Sequence, residues 1–260
     1  MSLTIDTALV EKVRQIALRA GDAILDVYNT DFAVERKDDA SPVTEADQRA
    51  ETLIVDAIRR EISDAYPIVA EEAVAAGDIP EVGDAPFWLV DPLDGTKQFV
   101  SRKGEFTVNI AFIENRRPQL GVVHAPALGS TYWGSANGAF ATFDGGAPQP
   151  ISCRPMPGKG VVAVASRSHR TPETDQFLGQ YDVGDVISSG SSIKFCLVAE
   201  GRADLYPRMG RTMEWDTAAG HGVVRFAGGS VTNVDGTEFL YAKPEFENPH
   251  FIVWGAPEAA

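Results

Sequence analysis

Apolar residues recur at helical spacing over residues 7–28, at Leu9, Val13, Ile16, Ala20, Ile24 and Val27. That period predicts an amphipathic helix, which Asp6 or Thr7 can cap. A second helix opens at Thr44-Glu45-Ala46-Asp47, with Leu53, Ile54, Ala57, Ile58 and Ile62 on its buried face. Thr44 and Asp47 fit a capping box, so the local pattern makes Asp47 a capping acid favoured by the helix dipole. Residues 33–43 are polar and show no period. They read as a solvated loop, of a length that could also cover a site as a lid.

The period then shortens. Tyr66–Ala70 is a β-branched run ending in Glu71-Glu72, and Phe87–Val90 is a buried run that Pro92 should end. Strands follow at Phe106–Ile113, Gln119–His124, Ser130–Gly134 and Ala139–Phe143, with short turn-rich links between them. Such links predict an antiparallel meander. His124, at a strand end beside Pro126, reads as structural. Pro148–Gly160 is rich in Pro and Gly and reads as a boundary between an α+β part, residues 1–150, and an α/β part, residues 151–260. In the second part, strands at Val161–Ala165, Asp185–Ser188 and Ala203–Tyr206 alternate with helices at Pro172–Gln180 and Ser192–Glu200. Another helix starts at Trp215-Asp216, with Asp216 as its expected N-cap, and ends near Gly228-Gly229. The small residues after Asp216 predict close packing against a neighbour.

Charge narrows the partners. The chain has 260 residues, 44% of them hydrophobic, and a formal net charge of −14. So acidic a surface suits neither nucleic acid nor an anionic membrane. It would also repel a phosphate ester unless bound cations invert the local field. Cys153 and Cys196 lack ligand spacing and read as reduced core thiols. No basic segment followed by an apolar core opens the chain, and no apolar run could cross a bilayer. These features predict a cytoplasmic protein, with peripheral attachment to the inner membrane compatible with them.

The chemistry gathers at Asp91-Pro92-Leu93-Asp94-Gly95-Thr96. Two acids at a strand end offer oxygen ligands for a hard cation, and Gly95 lets the backbone approach a phosphate. Glu71, Asp91, Asp94 and Asp216, with the Leu93 carbonyl, would suit two magnesium ions clamping an in-line displacement. Thr96, polarised by Asp47, could orient the attacking water. Lys97, Arg102 and Lys103 form a basic cluster that could receive an anion or be plain surface. Phosphatases that form an aspartyl-phosphate place two acids at i and i+2 before Gly-Thr. Here the spacing is i and i+3, which favours metal clamping.

Asp91-Pro-Leu-Asp94-Gly95-Thr96, Glu71-Glu72, Pro42-Val-Thr-Glu-Ala-Asp47 and Trp215-Asp216-Thr-Ala-Ala-Gly together resemble the inositol monophosphatase-like, lithium-sensitive phosphatases. The resemblance implies an α/β fold built as a layered αβαβα sandwich, with two or three magnesium ions. It implies Glu71, Asp91, Leu93 (through its carbonyl), Asp94 and Asp216 as metal ligands. Asp47 and Thr96 would activate water, with Glu71 also counted as catalytic. Asp94, Gly95, Thr96, Lys97, Glu71, Asp216 and Arg208 would meet the substrate. Within the family, Asp94-Gly-Thr-Lys97-Gln-Phe99 and the stretch Gly190–Arg208 resemble the bisphosphate nucleotidases. Inositol phosphatases carry a ring-binding glutamate shortly before the Trp-Asp motif. Arg208 and Met209 stand in that region here, and a guanidinium suits a second phosphate. Glu214 lies too near Asp216 to be the counterpart. The expected reaction is hydrolysis of adenosine 3′,5′-bisphosphate to AMP and phosphate, which would recycle a by-product of sulfate activation. The alternatives are an inositol-phosphate or histidinol-phosphate phosphatase with the same metals, and a non-catalytic relative that binds metal and nucleotide.

Overall fold

A computed structural model describes residues 3–36, 42–167 and 171–257. Helix α1 (Thr7–Tyr28) starts where Asp6 accepts the Leu9 N–H at 2.8 Å. The two-residue strands β1 (Glu35–Arg36) and β2 (Pro42–Val43) pair antiparallel, so the expected loop begins and ends as a ribbon. Its centre, residues 37–41, lies outside the described residues. Helix α2 (Glu45–Ala57) continues through a π-helical turn to Ile62.

Strand β3 (Ile68–Ala70) runs straight into helix α3 (Glu71–Ala75), so the paired glutamates open a helix and not a turn. Strand β4 (Phe87–Asp94) is longer than the sequence predicts. Pro92 does not end it. Asp91 pairs with Asn109 and Asp94 with Thr107, so one extra residue bulges out between the acids. Proline cannot donate to the ladder, and a bulge absorbs that loss. Helix α4 (Thr96–Val100) follows, then β5 (Thr107–Glu114), β6 (Arg117–Ala125), β7 (Ser130–Ser135), β8 (Gly138–Phe143) and β9 (Gln149–Pro150). Seven strands form a sheet in sequence order from β3 to β9, and all pairs beyond β3–β4 are antiparallel.

The chain then builds a second sheet. Its elements are β10 (Val161–Ser166), α5 (Pro172–Leu178), β11 (Val183–Ser189), α6 (Ile193–Ala199), β12 (Leu205–Arg208), α7 (Glu214–Phe226), β13 (Ser230–Asn233) and β14 (Phe251–Trp254). The strand order is β11-β10-β12-β14-β13. The β10–β11 and β10–β12 pairs are parallel, as the alternating pattern implies, whereas β14 runs antiparallel to both its neighbours.

Three apolar cores divide the molecule into five layers. Val13, Ile16 and Ile54 of α1 and α2 meet Trp88, Ile110 and Val122 on one face of the first sheet. Phe87, Leu89, Ala111 and Val123 on its other face meet Phe195, Ala219 and Val223 of α6 and α7, which also cover Val164 and Phe251 of the second sheet. Val161, Ala163 and Ile252 pack outward against Leu178 of α5. The result is the expected αβαβα sandwich. Alternation along β4 decides where its acids go: Trp88 and Val90 face α1 and α2, while Phe87 and Leu89 face α6 and α7. Asp91 continues the second row.

Helix α7 sits unusually close to the first sheet. A Cβ on Gly121 would lie 2.2 Å from the Ala219 carbonyl oxygen, and one on Gly134 would lie 2.7 Å from that of Gly222. This is the tight packing the small residues after Asp216 predict, and the neighbour is strands β6 and β7.

Candidate active site

The end of β4 is the centre of the site. Asp91 is buried, and its Oδ1 accepts the Leu93 N–H at 3.0 Å across the bulge. Its Oδ2 is buried with no hydrogen-bond donor among the described residues. Gly95 then turns the chain with φ +91°, and a Cβ there would lie 2.9 Å from the Glu105 carbonyl oxygen. Only glycine fits that turn without strain. It places Thr96 at the start of α4, where the hydroxyl stands 3.2 Å from the Leu93 carbonyl and 3.4 Å from Asp47 Oδ1.

Asp47 arrives from α2. Its Oδ2 accepts the Thr44 N–H at 2.7 Å and the Thr44 hydroxyl at 2.8 Å, completing the capping box. One oxygen therefore caps the helix, and the other faces Thr96. Asp216 does the same on α7, and here the sequence reading needs correction. The helix starts at Glu214 with Met213 as N-cap, and Asp216 is the third helical residue. Its Oδ2 accepts the Met213 N–H at 2.8 Å.

Glu71 is set by a residue the sequence reading did not single out. The buried Glu51 of α2 accepts the N–H groups of Glu72 and Ala73 at 2.7 and 2.8 Å, and so caps α3 from outside. Asp94 likewise accepts the backbone N–H of Ser192. The Ser192 hydroxyl lies 2.7 Å from Asn109 Oδ1 and 2.8 Å from the Thr107 hydroxyl, the strand partners of Asp91 and Asp94. This buried polar chain joins β5 to the start of α6 beside the acids.

A cleft of about 230 Å³ opens over these groups. Glu71, Asp94, Gly95, Thr96, Lys97 and Asp216 line it together with the cations Lys194, Arg208 and Arg211. Asp91 and Leu93 lie buried at the end of β4. Of the expected basic cluster only Lys97 reaches the cleft. Arg102 lies over the rings of Tyr28 and Phe32 instead. Lys194 is the main residue sequence reasoning missed. The signal was a lone lysine inside the apolar helix Ile193–Ala199, and its ammonium donates to the Ser191 carbonyl and feels the charge of Asp94. Glu214 is excluded structurally as well as by spacing. It is fully buried and held by Lys243 Nζ at 2.9 Å and by the N–H groups of Ala242 and Lys243.

The acids feel one another. Burial raises the Asp91 carboxyl well above its ordinary range, and the charges of Glu71, Asp94 and Asp216 add to it. Burial chiefly raises Asp216 to about 8, helped by Asp94 and Glu71. Burial raises Asp94 to about 6, with Lys194 pulling it back. Burial lowers Lys194 to about 8, and Asp94 opposes that shift. Carboxylates crowded this way are costly alone and suit a multivalent cation.

The residues present fit magnesium. The donors are all oxygen, and one buried carboxylate oxygen lacks a donor. Among the described residues no three His, Cys, Asp or Glu side chains form a ready-made ligand cage. His124 is structural as expected, its Nδ1 lying 2.9 Å from the Thr131 hydroxyl in a buried position that lowers its pKa. Both cysteines are free and buried. No described helix is long and apolar enough to cross a membrane.

The chain is similar to known proteins. CysQ of Salmonella typhimurium, a 3′(2′),5′-bisphosphate nucleotidase, is 45% identical over 94% of this chain and 99% of its own. The Escherichia coli K12 protein of that name is 44% identical over the same shares. The crystal structure of CysQ from Bacteroides thetaiotaomicron superposes with a TM-score of 0.80 at 38% identity, covering 96% of this chain and 98% of that one. An IMPase from Thermotoga maritima superposes at 0.77 with 29% identity, covering 96% and 92%. The inositol monophosphatase family model matches residues 6–255, through both sheets and every acid described above. The fold, the site geometry and these likenesses agree, and the chain belongs to the inositol monophosphatase family.

Proposed function

We infer that this protein is a magnesium-dependent 3′(2′),5′-bisphosphate nucleotidase, releasing the 3′-phosphate of adenosine 3′,5′-bisphosphate to leave AMP. The observation that carries this reading is that the buried cations Lys194 and Arg208 line the same cleft as the carboxylates Glu71, Asp94 and Asp216. A ligand with two phosphates can meet ions held by the acids and a cation of the chain at once. Arg208 offers a buried Nε that has no protein partner among the described residues, which a second phosphate would supply.

Glu71, Asp91, Asp94, Asp216 and the Leu93 carbonyl would hold the ions. Bound magnesium would supply charge neutralisation at the phosphoryl group and a more acidic water. The chain's own residues do the rest. Thr96 orients the attacking water through its hydroxyl, and Asp47 accepts the proton released along that hydrogen bond. The turn at Gly95 brings the backbone against the phosphoryl oxygens, while Lys97 faces them from α4. Water adds to phosphorus as the ester P–O bond breaks, and the leaving sugar oxygen takes a proton from solvent water. No side chain bonds to phosphorus.

Phosphate release from adenosine 3′,5′-bisphosphate, inositol 1-phosphate and histidinol phosphate, each with magnesium and with EDTA, tests this. Preference for the bisphosphate and silence in EDTA are expected. A clear preference for either monoester would overturn the substrate, and full activity in EDTA would overturn the metal reading.

A further inference from the structure

We propose that Asn248 is a positioning residue for Asp216, acting through the N-cap of helix α7. The inference rests on the metal reading above. Asn248 is buried on the segment before β14, 32 positions beyond the acid it would serve. Its amide Nδ2 donates to the Met213 carbonyl at 2.6 Å and lies 3.1 and 3.2 Å from the hydroxyls of Thr212 and Thr217. Its backbone N–H donates to the Thr212 carbonyl at 2.9 Å, and its neighbour Glu247 bridges to Met213.

The geometry is a clamp on one residue. Asn248 holds the carbonyl of Met213, and Asp216 Oδ2 holds the N–H of the same residue. The rotamer of Asp216 thus depends on where Met213 lies, and Asn248 fixes Met213. The three hydroxyl and amide groups straddle Asp216 in sequence, at 212, 213 and 217. Tyr241 extends the brace, with its hydroxyl 3.4 Å from Thr217 Oγ1 and 3.1 Å from His221 Nδ1. An acid that must share a cation needs its free oxygen held to within a fraction of an ångström, and outer partners of ligands supply that. A buried asparagine kept only for packing would not need its donors aimed at the N-cap of a helix that carries a ligand.

Asn248→Asp keeps the shape and removes the donor, and Asn248→Ser shortens the reach. Manganese binding by calorimetry to the wild type, both variants and Asp216→Asn, with thermal unfolding of each metal-free protein, separates the possibilities. The expected result is folded variants that bind manganese on the order of tenfold more weakly. They should also need correspondingly more magnesium for half-maximal activity, with an unchanged KM for substrate once metal is saturating. Wild-type manganese affinity in Asn248→Asp would overturn the proposal, since shape alone would then suffice. Failure of both variants to fold would also overturn it, by making Asn248 a purely structural residue. If instead the wild type binds no manganese, or Asp216→Asn binds it as the wild type does, the metal reading fails and takes the proposal with it.

Discussion

The Thr96 hydroxyl lies 3.4 Å from Asp47 Oδ1, although the two residues are 49 positions apart. Asp47 is held from behind by Thr44, and Thr96 is held from below by the Leu93 carbonyl. Thr96 lines the cleft, and the buried Asp47 backs it. Replacing Thr96 by Ala, or Asp47 by Asn, should lower kcat about 10²–10⁴-fold with little change in KM. Asp47→Asn should lose some stability as well, because it also weakens the cap. Thr96→Ser keeps the hydroxyl and should retain most activity. Steady-state kinetics on the three variants checks this, and an unaffected kcat in Thr96→Ala would remove the pair from the mechanism.

Arg208 should discriminate between substrates. Arg208→Ala is expected to raise KM for adenosine 3′,5′-bisphosphate by roughly 10–100-fold, the loss of a charge-assisted hydrogen bond. The same variant should handle adenosine 3′-monophosphate about as well as the wild type does. Equal losses on both substrates would place Arg208 at the reacting phosphate instead.

The close seat of α7 predicts an effect far from the cleft. In Gly121→Ala the new methyl would sit 2.2 Å from the Ala219 carbonyl, and backbone must move. Overpacking of this kind costs about 1–3 kcal/mol. The variant should melt several degrees lower and need more magnesium, because Asp216 rides on the same helix. Gly158→Ala, where a Cβ meets nothing within 4 Å, should behave as the wild type in both measurements.

The crowded acids make metal-free stability depend on pH. The Asp216 carboxyl, raised to about 8 in the fold, ionises near 4 once unfolded. The folded state holds that proton more tightly, so this contribution is full below the unfolded value and is lost as pH rises through 8. Asp216→Asn carries no such proton. In EDTA, the melting temperature of Asp216→Asn relative to the wild type should climb from pH 5 to about 8 and level off above it. A difference that stays flat, or that shrinks as pH rises, would contradict the burial of an uncompensated acid here.

Much of this was legible in the chain because it is local. The α1 period and the Thr44–Asp47 box are set by neighbours along the chain, and each sits where its pattern says. What the pattern missed depends on residues far apart in sequence. Glu51 caps a helix that starts 20 positions later, and Ser192 reaches Asp94 only once the two sheets are stacked. Lys194 stands out as a lone charge in an apolar helix, but the cleft at its flank forms only once the chain is folded. The Asp216 error is local instead. An acid at the third helical position and an acid at the N-cap look alike in sequence, and only the Met213 N–H tells them apart. Pro92 misled in another way, since a bulge lets a strand continue past a residue that cannot donate.

Manganese can replace magnesium in such oxygen sites and is visible by its anomalous scattering. A crystal grown with manganese and a slowly hydrolysed bisphosphate analogue should show ion density among Glu71, Asp91, Asp94 and Asp216, with one phosphate on the ions and the other at Arg208. An analogue bound in the cleft with no ion among those four carboxylates would contradict the account at its centre.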